Sequence, residues 1–272
     1  MEWTMLRFLL SRYDRWSLVA LAAMVALYVT IPYVWDDLAR QNLRVVNWFL
    51  IAIWLFMTAL LCWDVQPAQD IALAVVALAG GFLFEGWGTH TGLWHYFTGD
   101  KPPLWILPAW PVAALATARI AFLLDRLFLG RTLDWRIPYW LFVLVFAVGM
   151  GRFIRPSIGM VPTWVTIAVV VLAIVTGRAP RRDVSLLAAG VALGYFLEYW
   201  GTSRNCWTYY TGQIPPPVTV MAHGFAQVVF ARTLSGLDRV LGRLGVPWTV
   251  RARDGADLKA TMGNAALSCK PS

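Results

Sequence analysis

Apolar residues run along this chain in long blocks, separated by short segments that hold most of the arginines. Eight blocks stand out, at about residues 16–35, 45–63, 70–88, 104–125, 138–154, 159–176, 184–202 and 217–237. An α-helix of about 20 apolar residues crosses the ~30 Å hydrocarbon core of a bilayer. The pattern predicts an all-α, polytopic membrane protein with about eight transmembrane helices. The fifth block is short and ends in Gly151-Arg152. Residues 246–272 are polar, with Gly and Lys/Arg, and read as a loosely ordered cytoplasmic tail. Glu2 and Asp14 lie in the first fifteen residues and no small-residue cleavage site follows the first block, so no cleaved signal peptide is expected.

The polar residues inside the blocks recur 113 positions apart. Residues 85–103 read EGWGTHTGLWHYFTGDKPP and residues 198–216 read EYWGTSRNCWTYYTGQIPP, with ten identities in 19 ungapped positions. Pro67 and Asp70 align with Pro180 and Asp183; Arg119, Asp125 and Arg126 align with Arg232, Asp238 and Arg239. Similarity between two apolar helices gives matching Leu and Ala, not matching Glu, Trp, Gly, Tyr, Pro and Arg in register. The chain therefore reads as an internal duplication, a first four-helix repeat at 1–128 and a second at 129–245. An even number of spans per repeat inserts both copies in the same sense, giving two parallel four-helix repeats about a pseudo-two-fold along the membrane normal. The two E-x-W-G segments are then expected to face each other across one cavity.

Composition agrees. Apolar types make up 59 % of the 272 residues and charged types 14 %, against about 25 % charged in soluble domains. This excludes a soluble enzyme, a disordered tail and a nucleic-acid module. The net charge of +8 comes from arginines between spans, not from one patch. With the N-terminus inside, fifteen Lys/Arg fall on inner segments and six on outer ones. The positive-inside rule then places both termini in the cytoplasm, as in a bacterial inner membrane, and the 86–103 and 203–216 loops outside.

Glu85 and Glu198 lie about 15 residues into their blocks, roughly 22 Å from the inner boundary. An intramembrane carboxyl is costly and marks either function or a paired structural group, for Glu198 with Arg204 as one candidate partner. A carboxylic acid kept protonated in a dry pocket is a general acid. Trp87, Trp94 and Tyr96, with Trp200, Trp207 and Tyr209, surround the two acids in sequence. Their ring faces can stabilise a cation by about 0.5–2 kcal/mol each, or they can belong to the aromatic belt at the membrane boundary. Gly88, Thr89, Gly99 and Pro102-Pro103 read as a tight, re-entrant-like loop that folds Trp and Tyr back over the cavity, the prolines fitting the first turn of the next helix. Arg119 and Arg232 are expected to snorkel or to pair with Asp70 and Asp183, with phosphate-head binding as the alternative. His223 stands where the other repeat has Trp110, a hydrogen-bonded core residue or a proton relay.

Cys62, Cys206 and Cys269 show no pairing pattern. His90, His95 and His223 are too few for a membrane di-iron enzyme, and H-x4-H is not a ligand motif, so neither a metal nor a cofactor is expected. Walker, G-x-G-x-x-G, G-x-S-x-G and H-E-x-x-H motifs are absent.

Glu85-x2-Gly88-x2-Thr91-Gly92, followed by Tyr96, Pro-rich turns and Trp110-Pro111, resembles the membrane carotenoid hydratases of bacteria and archaea. More distantly it resembles the small heterodimeric-type lycopene cyclases. The likeness covers residues 85–112 and, more loosely, 198–224. Leu93-Trp94-His95-Tyr96 replaces the family's Phe-Gly-x-Tyr, and the cyclases' Pro-x-Glu-Glu is absent. The resemblance implies a polytopic enzyme acting on linear C40 polyenes by acid-initiated addition at an end-group double bond. Glu85 and, through the repeat, Glu198 carry over as the acids. Glu85, Glu198 and His223 are accordingly the candidate catalytic residues; Trp87, Trp94, Tyr96, Trp110, Trp200, Trp207 and Tyr209 are the candidate walls for a membrane-dissolved isoprenoid. The rival readings are a non-catalytic lipid-, pigment- or quinone-binding subunit of a larger complex, and a transporter, for which no coupling-ion cluster is seen.

Overall fold

The computed structural model describes residues 10–34, 48–128, 131–176 and 179–244. The expected tail at 246–272, together with Trp35, Arg40, Arg44, Trp248 and Cys269, lies outside the described residues. The chain is helical. In order the helices are α1 (Arg15–Val34), α2 (Trp48–Cys62), α3 (Pro67–His90), α4 (Ala109–Phe128), α5 (Arg136–Phe153), α6 (Val161–Val175), α7 (Pro180–Ser203) and α8 (Pro217–Arg243). Two three-residue strands, β1 (Trp94–Tyr96) and β2 (Trp207–Tyr209), follow α3 and α7.

Helix boundaries follow local chemistry. Pro67, Pro162, Pro180 and Pro217 open α3, α6, α7 and α8, where a missing N–H costs nothing. Helices α3 and α7 have 24 residues each, begin 113 positions apart and end 113 positions apart. Beyond them the chain turns through a left-handed residue, Gly92 (φ 72°) in one copy and Asn205 (φ 56°) in the other. Asn is one of the few non-glycine residues that tolerate that region. Pro102-Pro103 precedes a short 3-10 turn at Leu104–Ile106 rather than starting α4.

Among the described residues four helices are long and apolar enough to cross a membrane: Pro67–His90, Leu104–Phe128 with its leading turn, Arg136–Phe153 and Pro180–Ser203. The other four expected spans are less clear. Arg15–Thr30, Trp48–Cys62 and Val161–Val175 are apolar but short. Fifteen residues of α2 rise only about 22 Å. Helix α8 has 27 residues, but its second half carries Arg232, Asp238, Arg239 and Arg243.

Four helices form the centre. Helix α3 packs on α4, α7 packs on α8, and α4–α7 and α3–α8 contacts close the group. Under the 113-residue offset these contacts exchange pairwise. Helix α2 lies against α4, and its counterpart α6 against α8. The offset breaks at α5, which packs on α7 and α8, whereas α1 packs chiefly on α2. Glycine sets the closest approach: a Cβ at Gly190 would come within 2.7 Å of the Gly224 Cα. Buried Phe146, Leu187, Phe225 and Val228 form the core where α5, α7 and α8 meet. Outward faces carry exposed Leu55, Val75, Leu144 and Leu172.

Ion pairs tie the helix ends remote from the strands. Arg119 is 1 % exposed and grips Asp70 with two nitrogens, Nη1–Oδ1 at 2.8 Å and Nη2–Oδ2 at 2.5 Å. Its Nε donates to the Trp63 carbonyl at 3.2 Å. Arg232 pairs with Asp183 at the repeated position. Pairing, rather than phosphate binding, thus occupies both arginines. Arg181 holds Asp125 at 2.7 Å and 3.1 Å, joining α7 to α4.

Candidate functional site

The strands bring the two repeats together. β1 and β2 pair antiparallel, Trp94 opposite Tyr209, His95 opposite Thr208 and Tyr96 opposite Trp207. Exchanging the repeats maps this register onto itself, so a local two-fold passes through the His95–Thr208 pair. Side chains alternate along a strand. His95 and Thr208 therefore point outward and are exposed, while Trp94, Tyr96, Trp207 and Tyr209 turn in towards the helices.

The inward four end on the two acids. Glu85 Oε2 accepts hydrogen bonds from Trp94 Nε1 at 3.0 Å and the Tyr96 hydroxyl at 2.9 Å. Glu85 Oε1 accepts from Trp110 Nε1 at 3.1 Å. Glu198 repeats the pattern. Trp207 Nε1 donates to Oε2 at 3.0 Å, and the Tyr209 hydroxyl lies 2.9 Å from each oxygen. His223 Nε2 replaces the third donor, 2.9 Å from Oε1. Both acids are 5 % exposed. Arg204 does not serve as the partner of Glu198; it bonds the Ser203 hydroxyl and lies over the Trp200 ring.

Small residues shape these contacts. A Cβ at Gly88 would sit 1.9 Å from the Trp94 indole, and one at Gly201 would sit 1.9 Å from the Trp207 indole. The glycine of E-x-W-G is thus the bed on which the strand's indole lies to reach the acid three residues earlier. Gly81 and Gly194 do the same for Trp110 and His223, at 2.3 Å and 2.6 Å. Thr89 and Thr202 return their hydroxyls to the Glu85 and Glu198 carbonyls at 2.6 Å each. The Trp110 and His223 rings stack on each other, 5.6 Å between centroids and 13° from parallel. Each ring's nitrogen reaches its own carboxyl group, so this stacked pair bridges the acids.

Both acids open onto one cavity of about 850 Å³, near the upper end of the roughly 300–1,000 Å³ typical of small-molecule sites. Its lining runs from Tyr28 and Trp54 on α1 and α2, past Glu85 and Glu198, to Phe146 and Val170 on α5 and α6. Every candidate residue from the sequence lies on this wall: Glu85, Glu198, His223, Trp87, Trp94, Tyr96, Trp110, Trp200, Trp207 and Tyr209. Sequence reasoning missed Trp105, Thr163 and the glycine beds at positions 81 and 194. The glycines were detectable, since Gly81 and Gly194 align in the repeat. Trp105 and Thr163 carry no repeat signal, because Val218 and Leu50 hold the matching positions. His90 and His95 are exposed and away from the cavity wall, His90 bonding the Gly86 carbonyl at 2.8 Å.

No family model, curated protein or solved structure matches this chain.

Proposed function

We propose that this is a polytopic membrane enzyme, with two parallel four-helix halves at 1–128 and 129–245, that binds a linear isoprenoid lipid in the shared cavity. It hydrates or cyclises an end-group double bond by proton transfer. The observation that carries this reading is that both buried acids open onto the same apolar, aromatic-walled cavity. Outward Leu, Val and Trp side chains support lipid contact along the helices, since a soluble monomer rarely exposes so wide an apolar surface. The arginine distribution supports both termini inside.

The asymmetry between the repeats divides the labour. Trp110 gives Glu85 an indole N–H, a group that donates and never accepts. His223 gives Glu198 an imidazole, whose two nitrogens can donate or accept a proton according to the tautomer. The Glu198–His223 pair is therefore the proton carrier and Glu85 the fixed polar anchor. A proton passes from this pair to the terminal alkene carbon, and the π electrons form the new C–H bond. The positive charge left on the tertiary carbon faces Trp and Tyr rings. A water lone pair closes the cation and returns one proton to the pair, or a neighbouring double bond closes it, moving the charge to a ring carbon whose neighbouring C–H bond supplies the electrons of a new double bond as its proton returns to the pair. No electrons are gained or lost overall.

The test is product analysis after incubation of purified protein with linear C40 polyenes. A positioned general acid contributes about 10²–10⁴ in rate, so Glu198→Gln and His223→Ala should each lose about that factor. Unchanged turnover in both variants removes the mechanism. One observation favours a second reading, a lipid-binding subunit without chemistry: three donors already occupy Glu85. Stoichiometric partner chains with tightly held lipid and no product would support that reading.

A further inference from the structure

We infer that the cavity holds a polar subsite at Trp105 and Trp200 that takes an acceptor oxygen of the bound lipid, so that the ligand is an oxygenated isoprenoid rather than a pure hydrocarbon. This rests on the lipid reading of the cavity. The evidence is a break in the repeat. Trp87 and Trp200 are equivalent positions, 113 residues apart. Trp87 Nε1 donates to Thr163 Oγ1 at 3.0 Å. The position equivalent to Thr163 is Leu50, a buried hydrocarbon side chain on α2. Trp200 Nε1 is buried and has no acceptor among the described residues.

Trp105 Nε1 is likewise buried and without an acceptor among the described residues. Its equivalent is Val218, so this donor too exists on one side only. Val218 packs in the cluster that contains Trp87. Trp105 packs on the Tyr96 ring at 5.4 Å, and Tyr96 on Trp207 of the second repeat at 5.8 Å. Trp105, Trp200 and Leu50 all line the cavity that holds both acids. Buried donors in proteins are nearly always paired, and leaving one unpaired is costly. An indole N–H only donates, so its partner must bring a lone pair: a carbonyl, hydroxyl or ether oxygen. The Trp87 N–H is not free in this way, because Thr163 already takes it. A lipid seated across the pseudo-two-fold is thus read directionally, its oxygenated end towards α1 and α2.

The experiment measures binding to the purified full chain in lipid nanodiscs, by quenching of Trp fluorescence. The probes are lycopene and a monoketo lycopene of equal length. The ketone should bind more tightly, by about fivefold for each N–H it engages. Leu50→Thr supplies Trp200 with the internal partner that Trp87 already has, and Trp105→Phe removes the other donor. Each should erase part of the preference, read as the ratio of ketone to lycopene affinity within each variant, and the double variant all of it. Equal binding of the two probes by the unaltered protein overturns this inference and leaves the lipid reading standing. Binding of neither overturns both. A preference that survives the double variant also overturns it.

Discussion

At the scale of single residues, the site depends on glycines as much as on acids. Gly88 and Gly201 exist so that an indole can lie on the helix and reach Glu85 or Glu198. Gly88→Ala places a methyl group 1.9 Å from the Trp94 ring, and overpacking of this kind costs about 1–3 kcal/mol. The expected outcome is a destabilised protein in which Trp94 no longer bonds Glu85, read by thermal unfolding and by the shift of one indole N–H resonance. Unchanged stability and an unchanged resonance would contradict it. Arg119 and Asp70 make a similar case at the opposite end. Removing one member of a buried ion pair costs about 3–5 kcal/mol because the other charge is stranded. Asp70→Asn should therefore destabilise far more than the double variant Arg119→Met/Asp70→Leu, as an unfolding series in detergent would show. The acids and the aromatics were legible in the sequence because duplication printed them twice. Trp105 was not, nor was the missing partner of Trp200, because a feature present in only one repeat gives no such signal.

At the scale of elements, the two strands are the part the apolar pattern could not disclose. Three residues each are too few to show alternation, and Trp-x-Tyr reads equally as a boundary aromatic belt. Only the pairing of Trp94 with Tyr209 and of Tyr96 with Trp207 reveals that the loops of the two repeats form one ribbon. The residues at its centre face each other directly, and opposed residues in an antiparallel pair have Cβ atoms about 4.5–5.5 Å apart. His95→Cys with Thr208→Cys should cross-link under mild oxidation while lipid binding persists. Failure to cross-link would contradict the ribbon. Helix positions were easier, since prolines and the polar breaks mark them: α7 runs from Pro180 and α8 from Pro217. Lengths were harder. Apolar blocks run on through turns, so the fourth block begins at residue 104 while α4 begins at Ala109.

At the scale of the whole molecule, the arrangement places a carboxyl–imidazole pair on one side of a pseudo-two-fold and a carboxyl–indole pair on the other. Duplication supplies two equal acids, and the exchange of Trp110 for His223 makes them unequal. In the orientation proposed from the arginines, with both termini inside, the ribbon lies on the outer face. A cysteine introduced at His95 should react with a membrane-impermeant maleimide added to intact cells, and labelling only after lysis would contradict that orientation. The same exposed position carries no information about the proposed chemistry, which is assigned to Glu198 and His223. The central claim, that this pair delivers a proton to a double bond of a lipid held in the common cavity, is tested most directly by deuterium transfer. Purified protein is incubated with a linear C40 polyene in D2O and the lipid analysed by mass spectrometry and NMR. One new C–D bond at the terminal alkene carbon is predicted with the unaltered protein and none with Glu198→Gln. Product formed without deuterium at that carbon, or deuterium incorporated equally by the variant, would contradict the account.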